Sequence, residues 1–168
     1  MNRKIFSFFV CALSLVLLAS CAGVYSYSTD QKDLYGKWQS EDIASITVSG
    51  TSCEGYFIII ASNSGFTVQA WQKNDDYTAD TLLLTQDFSA YYEASEGCLL
   101  ANVQDSGKSF VVSYDNGHGN KGTITVSQTY SQKFEVDTER DTLIWQGFIF
   151  SEYEEKVLLE KEDTSGES

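Results

Sequence analysis

Residue types that could do chemistry are few in this chain, and they are not arranged as a catalytic set. The single histidine, His118, sits in Asp115-Asn-Gly-His-Gly-Asn-Lys-Gly122. Oxygen-bearing side chains at alternate positions there suggest a calcium loop, but the bidentate acid that such a loop requires is missing and Lys121 intrudes. Asn116-Gly117 is instead a hairpin signal, so the segment is expected to be a loop between strands. There is no Gly-x-Ser-x-Gly elbow, no HExxH pair and no phosphate-cradling glycine loop. The 24 acidic residues make carboxylate pairs so common that none of them points to a glycosidase. These residues predict a protein that is not an enzyme and that holds no metal and no cofactor.

The four cysteines divide by position. Cys11 lies in an amino-terminal stretch where Arg3 and Lys4 precede an uncharged run from Ile5 to Leu18, followed by the small pair Ala19 and Ser20. That is the layout of an export signal, and the run falls short of the about 20 apolar residues that span a bilayer core. Leu18-Ala19-Ser20-Cys21 resembles the lipobox of bacterial lipoproteins. The resemblance implies cleavage after residue 20 and acylation of Cys21 with palmitate-type chains, giving three in all. One chain anchors marginally and two already hold firmly, at about 0.8 kcal/mol per buried methylene. Ala22, where an aspartate would retain the protein at the inner membrane, implies a cell-envelope location at the outer membrane if the host is Gram-negative. Cys53 and Cys98 then remain, and in an exported chain a remaining pair is expected to form a disulfide. Closing a loop of about 45 residues would stabilise the fold by about 4 kcal/mol.

Removing 20 of the 168 residues leaves 148, enough for one domain with a real core. The signal takes two of the 11 basic residues and none of the 24 acidic ones, so the mature charge is 9 minus 24, or −15. Such a surface keeps a monomer soluble and repels nucleic acid. The expected organisation is a signal over 1–20, a lipidated tether over 21–32, one domain over 33–161 and a frayed charged tail over 162–168.

Within the domain the apolar pattern is that of strands. Thr123–Ser127, Ile46–Val48, Phe66–Ala70 and Phe134–Val136 alternate, while Tyr56–Ile60, Phe110–Val112 and Thr142–Phe150 are denser, as if covered on both faces. With no proline in the chain, turns fall to Asn63-Ser-Gly65, Asn74-Asp-Asp76, Ser106-Gly-Lys108 and Asp115-Asn-Gly117. Phe88–Glu96 is the exception. Asp87 could cap a helix there and Gly97 end it, which predicts a short helix. The whole is expected to be all-β, a single antiparallel up-and-down barrel of about 8–10 strands, with a β-sandwich as the alternative.

Gly36-Lys37-Trp38 opens the first strand, and here the chain resembles the lipocalin-like proteins, which begin their barrel with Gly-x-Trp. The resemblance implies that Gly36 bends the chain, that Trp38 plugs the closed end, and that an arginine stacks on it. Arg140 is the one arginine left after cleavage, but it falls in the turn Asp137-Thr-Glu-Arg-Asp141; Lys156 or Lys161 could take its place. The resemblance also implies a cavity for a small apolar or amphipathic ligand, for which Trp71, Trp145 and Phe148 are the candidate lining. The alternative is a cell-envelope interaction protein, an inhibitor or adhesin, with a filled interior. An enclosed apolar space of about 300 Å³ separates the two.

Membrane attachment has a direct check. Cys21→Ala is expected to release the protein from membranes or leave the precursor uncleaved, as read by detergent phase partition; a variant that matures at the same site and stays in the detergent phase would refute it.

Overall fold

The computed structural model describes residues 27–75, 78–117 and 119–153. The signal, Cys21, His118, Lys156, Lys161 and the expected tail lie outside the described residues. Eleven strands follow one another: β1 (Gly36–Ser40), β2 (Ala44–Val48), β3 (Thr51–Ser62), β4 (Gly65–Gln72), β5 (Thr81–Ser95), β6 (Cys98–Val103), β7 (Ser109–Asp115), β8 (Lys121–Ser127), β9 (Gln132–Asp137), β10 (Thr142–Trp145) and β11 (Phe148–Glu152). A single 3-10 turn, Gln31–Leu34, precedes β1.

Eight of these strands close on themselves. The ring runs β1-β3-β4-β5-β6-β9-β10-β11 and returns to β1, each neighbour antiparallel. Apart from the excursions of β2 and of the β7–β8 hairpin, each strand lies beside the next one along the chain. This is the expected up-and-down, lipocalin-like barrel and not a sandwich. β2 pairs with the first residues of β3, and β7 and β8 extend that pairing outward from the ring.

Alternation explains most of the strands. β8 buries Ile124 and Val126 and turns Thr123 and Thr125 outward, and β4 buries Phe66, Val68 and Ala70. β3 is buried on both faces from Tyr56 to Ile59, as its dense run implied. Thr142–Phe150 is not one strand but a hairpin, because Gln146 and Gly147 both take positive φ (51° and 81°), the geometry of a two-residue hairpin turn. Gly65 turns β3 into β4 at φ 146°, and a Cβ there would sit 2.0 Å from Phe88 O. Only glycine lets the β3–β4 turn approach β5 so closely.

Two expectations are corrected. Phe88–Glu96 is not a helix. Phe88, Ala90 and Tyr92 alternate inward along β5, and burying three apolar side chains outweighs a local capping signal. Within the span read as a tether, Ser28 N–H bonds Val136 O at 2.7 Å and Gln31 Nε2 donates to Tyr92 O. Cys53 and Cys98 are not bonded to each other. Cys53 pairs with Ile46 on the part of β3 that leaves the ring, and Cys98 begins β6 beside Ser95. The barrel's length separates them, so no side-chain rotation could join them.

Labelling of the unfolded, unreduced protein should therefore modify both thiols. In the folded protein half-buried Cys53 should react slowly, because burial raises its thiol pKa, and buried Cys98 should be slower still. Failure of both to label after unfolding would contradict this arrangement.

Candidate functional site: the barrel ends, the interior and the outer wall

The end of the barrel at which β1 starts is closed from below. The 3-10 turn places Leu34 inside, and Trp38 Nε1 donates to Leu34 O at 2.8 Å, with the Trp38 ring 4% exposed. Gly36 holds φ 146° at the start of β1. Tyr92 adds a second tie from the facing wall. Its hydroxyl donates to Gly65 O at 2.8 Å and its ring lies against Tyr35, and burial pushes its phenol above the ordinary tyrosine range.

Arg140 does not complete this plug. It lies in the β9–β10 turn at the same end, with its side chain 61% exposed and Nε 3.8 Å from Asp137. Asp137 Oδ1 also accepts the Glu139 and Arg140 N–H groups, an Asx-type turn that uses the acid locally. Among the described residues the one cation over an aromatic ring is Lys37 Nζ, 4.1 Å from the Tyr153 centroid on the outer wall.

Two of the three expected cavity residues are core. Trp145 is 1% exposed and Phe148 is 3%. They belong to two groups of rings in the barrel interior, adjoining where Trp145 pairs with Phe148. Phe57 meets Phe148 at 5.2 Å, Tyr114 meets Phe148 at 4.7 Å, Phe66 meets Phe134 at 5.4 Å, and Trp145 lies 6.1 Å from both Phe134 and Phe150. These are edge-on and stacked separations of filled cores. Gln132, itself buried, accepts from Trp145 Nε1 and donates to Thr125 O and Tyr130 O. The opposite mouth is capped by β2, β7 and β8, which turn Ile46, Phe110, Val112, Ile124 and Val126 inward, all fully buried. Three depressions lined by described residues open on the surface, one of them about 700 Å³ beside Thr29, Gln31, Tyr35 and Asn63. One of about 270 Å³ lies between Ser62, Ser64, Thr67, Asp87 and Lys108, and another of about 300 Å³ borders the loop at Asn74.

Trp71 is the third expected residue, and it faces out. It is half-buried beside Tyr56, the two rings nearly parallel at 6.4 Å, and its Nε1 donates to Gln69 Oε1. Tyr56 donates its hydroxyl to Asp80 at 2.9 Å. Burial first, and Asp80 second, push that phenol far above its usual range, so it stays a neutral donor. Asp80 also accepts Asn74 N–H. The outer cluster of Tyr56, Trp71, Asp80, Lys37 and Tyr153 was not legible in the sequence. Its members come from β1, β3, β4, the β4–β5 loop and the end of β11, and only ring closure brings them together. Among the described residues no three His, Cys, Asp or Glu stand close enough to hold a metal ion.

No protein-family model, curated protein or solved structure matches this chain.

Burial ranks the three tryptophans. Trp38→Ala and Trp145→Ala should each cost about 3 to 5 kcal/mol, the range for truncating a buried aromatic. Trp71→Ala should cost about half that or less, because its site is already half open to water. Equilibrium denaturation of the three variants tests the order, and a Trp71 variant less stable than the Trp145 variant would reverse it.

Proposed function

We propose that this chain is a lipid-anchored cell-envelope protein that binds a partner through its outer surface, with the barrel as a filled scaffold and no catalytic step. The observation that carries the reading is the pair of interior ring groups, Phe57 with Phe148 and Tyr114, and Phe66 with Phe134, Trp145 and Phe150, adjoining where Trp145 pairs with Phe148 and capped by the inward face of β2, β7 and β8. A ligand of ordinary size needs about 300 Å³ or more of enclosed apolar space. Making that space here would mean lifting the cap and separating close ring contacts, so internal carriage of a small apolar molecule is the less favoured of the two expected roles. The acidic surface, net −13 over the whole chain, suits a cationic partner and steers it electrostatically. Attachment is through the lipid on Cys21, and the short tether holds the barrel near the membrane.

Native mass spectrometry of the protein purified from its own host is expected to give the mass of the lipidated chain alone. Quenching of Trp145 fluorescence by added apolar ligands should be absent up to solubility. A retained small molecule, or saturable Trp145 quenching, would overturn the outer-surface reading in favour of internal carriage.

A further inference from the structure

β5, the longest strand of the ring, has a paired neighbour along only part of one side. β5 pairs with β4 from Thr81 to Ser89, but with β6 only from Ala90 to Ser95. Above Ala90 no strand is hydrogen-bonded to β5 on the β6 side, although β7 approaches it without pairing. The lower part of this edge is covered by the loop after β6. Ser89 N–H donates to Asp105, Gln104 N–H donates to Ser89 O, and Lys108 Nζ donates to Asp87 O. The Ser89 N–H and Lys108 hold the Asp105 carboxyl below the usual range, so it remains an ionised acceptor.

These contacts fix the direction of the main chain. Ser89 and Asp87 aim their polar groups away from β4, whereas Ala90 N–H reaches Ser64 O on the β4 side. With period two along a strand, Thr85 aims its N–H and C=O away from β4 as well. Among the described residues no hydrogen bond reaches them.

The exposed stretch is Thr81-Leu-Leu-Leu-Thr-Gln86, without a charge or a proline. Folded proteins blunt free edges with lysine, proline or a covering loop, and between 81 and 86 the one irregularity is the register shift opposite Ala70 and Trp71. Leu82 is 41% exposed and is paired with Trp71, which stands beside Tyr56. A strand laid along this edge would gain main-chain hydrogen bonds at Thr85 and apolar contact at Leu82. Carboxylates border it at both ends, Asp80 before it and Asp87 and Asp105 after it, with Lys108 turned onto the latter pair.

We propose that the Thr81–Gln86 edge is a strand-addition site that takes an extended segment of a partner protein, apolar or β-branched in its centre and basic at its ends. Main-chain pairing would supply affinity and alternate side chains specificity. For its place in the cell this rests on the outer-surface reading above; for its chemistry it needs only the free edge.

The test uses the full lipidated protein in detergent micelles and the peptide KVTVTVR, with a control peptide N-methylated at alternate residues. Amide exchange at Thr85 should slow by about ten-fold or more with KVTVTVR and be unchanged by the methylated peptide, because losing main-chain hydrogen bonds removes most of the binding. Thr85→Pro deletes an N–H that β4 does not use and should abolish binding of KVTVTVR, read by the fluorescence anisotropy of the labelled peptide. Leu82→Ala, which leaves the edge intact, should weaken peptide binding roughly three-fold or more through lost apolar area. Unchanged Thr85 exchange at millimolar peptide, or equal binding of the methylated control, would overturn the proposal. So would Thr85 protection that rises with protein concentration without peptide, since the occupant would then be a second copy. A molecule retained inside the barrel would refute the outer-surface reading while leaving the Thr85 result standing, so the two failures are distinguishable.

Discussion

Five residues hold the barrel shut. β1 pairs with β3 on one side and β11 on the other, and Trp38 is opposite Ile59 and Glu152 at once. No other strand can close the ring, because the remaining pairings run in chain order from β3 to β11. Closure removes two edges that would otherwise stand open and sets the inner radius. An eight-stranded ring is just wide enough for side chains to fill. The interior ring groups, the plug at Leu34 and Trp38, and the outer cluster that spans β1, β3, β4 and β11 all depend on that closure.

The inserted elements follow from the same constraint. A filled barrel still has two mouths, and each needs apolar cover. The 3-10 turn and the docked segment from Ser28 cover one. β2, β7 and β8 cover the other, turning fully buried Ile46, Phe110, Val112, Ile124 and Val126 inward together with the partly buried Val48 and Tyr114. Gly55 marks where β3 passes from ring to cap, and a Cβ there would meet Trp71 O at 2.3 Å and Ile46 Cδ1 at 2.5 Å. The chain therefore packs its cap and its ring as one core, in contrast to a barrel with an open cup.

β5 carries the cost of this arrangement. It is 15 residues long, shared between β4 above and β6 below, and the change of partner at Ala90 leaves its upper half open on one side. The loop after β6 covers the edge only as far up as Asp87. Above that, the unpaired main chain of Thr85 lies next to Leu82 and Trp71, so an unsatisfied edge and a half-open aromatic surface adjoin. β8 also ends the sheet with one side unpaired, but it carries Lys121 at its start, whereas Thr81–Gln86 has no charge and adjoins the Trp71 and Tyr56 rings.

Much was legible from residue order alone. Period-two alternation identified β2, β4, β8 and β9, the dense run identified β3 as covered on both faces, and Gly36 marked the start of the first strand. Local signals failed where two of them competed. The Asp87 and Gly97 signals suggested a helix over 88–96, but the apolar alternation of Phe88, Ala90 and Tyr92 prevailed once a core existed to bury them. Counting cysteines suggested a bridge that geometry forbids, since spacing along the chain carries no information about opposite ends of a barrel. What the sequence by itself determined was which face of each strand is apolar and where the turns fall, because alternation and turn chemistry act over a few residues. Only the tertiary structure decided that Trp145 and Phe148 fill the interior while Trp71 faces out, and that β5 is left with an open edge. Those outcomes depend on which distant strands become neighbours when β1 closes the ring.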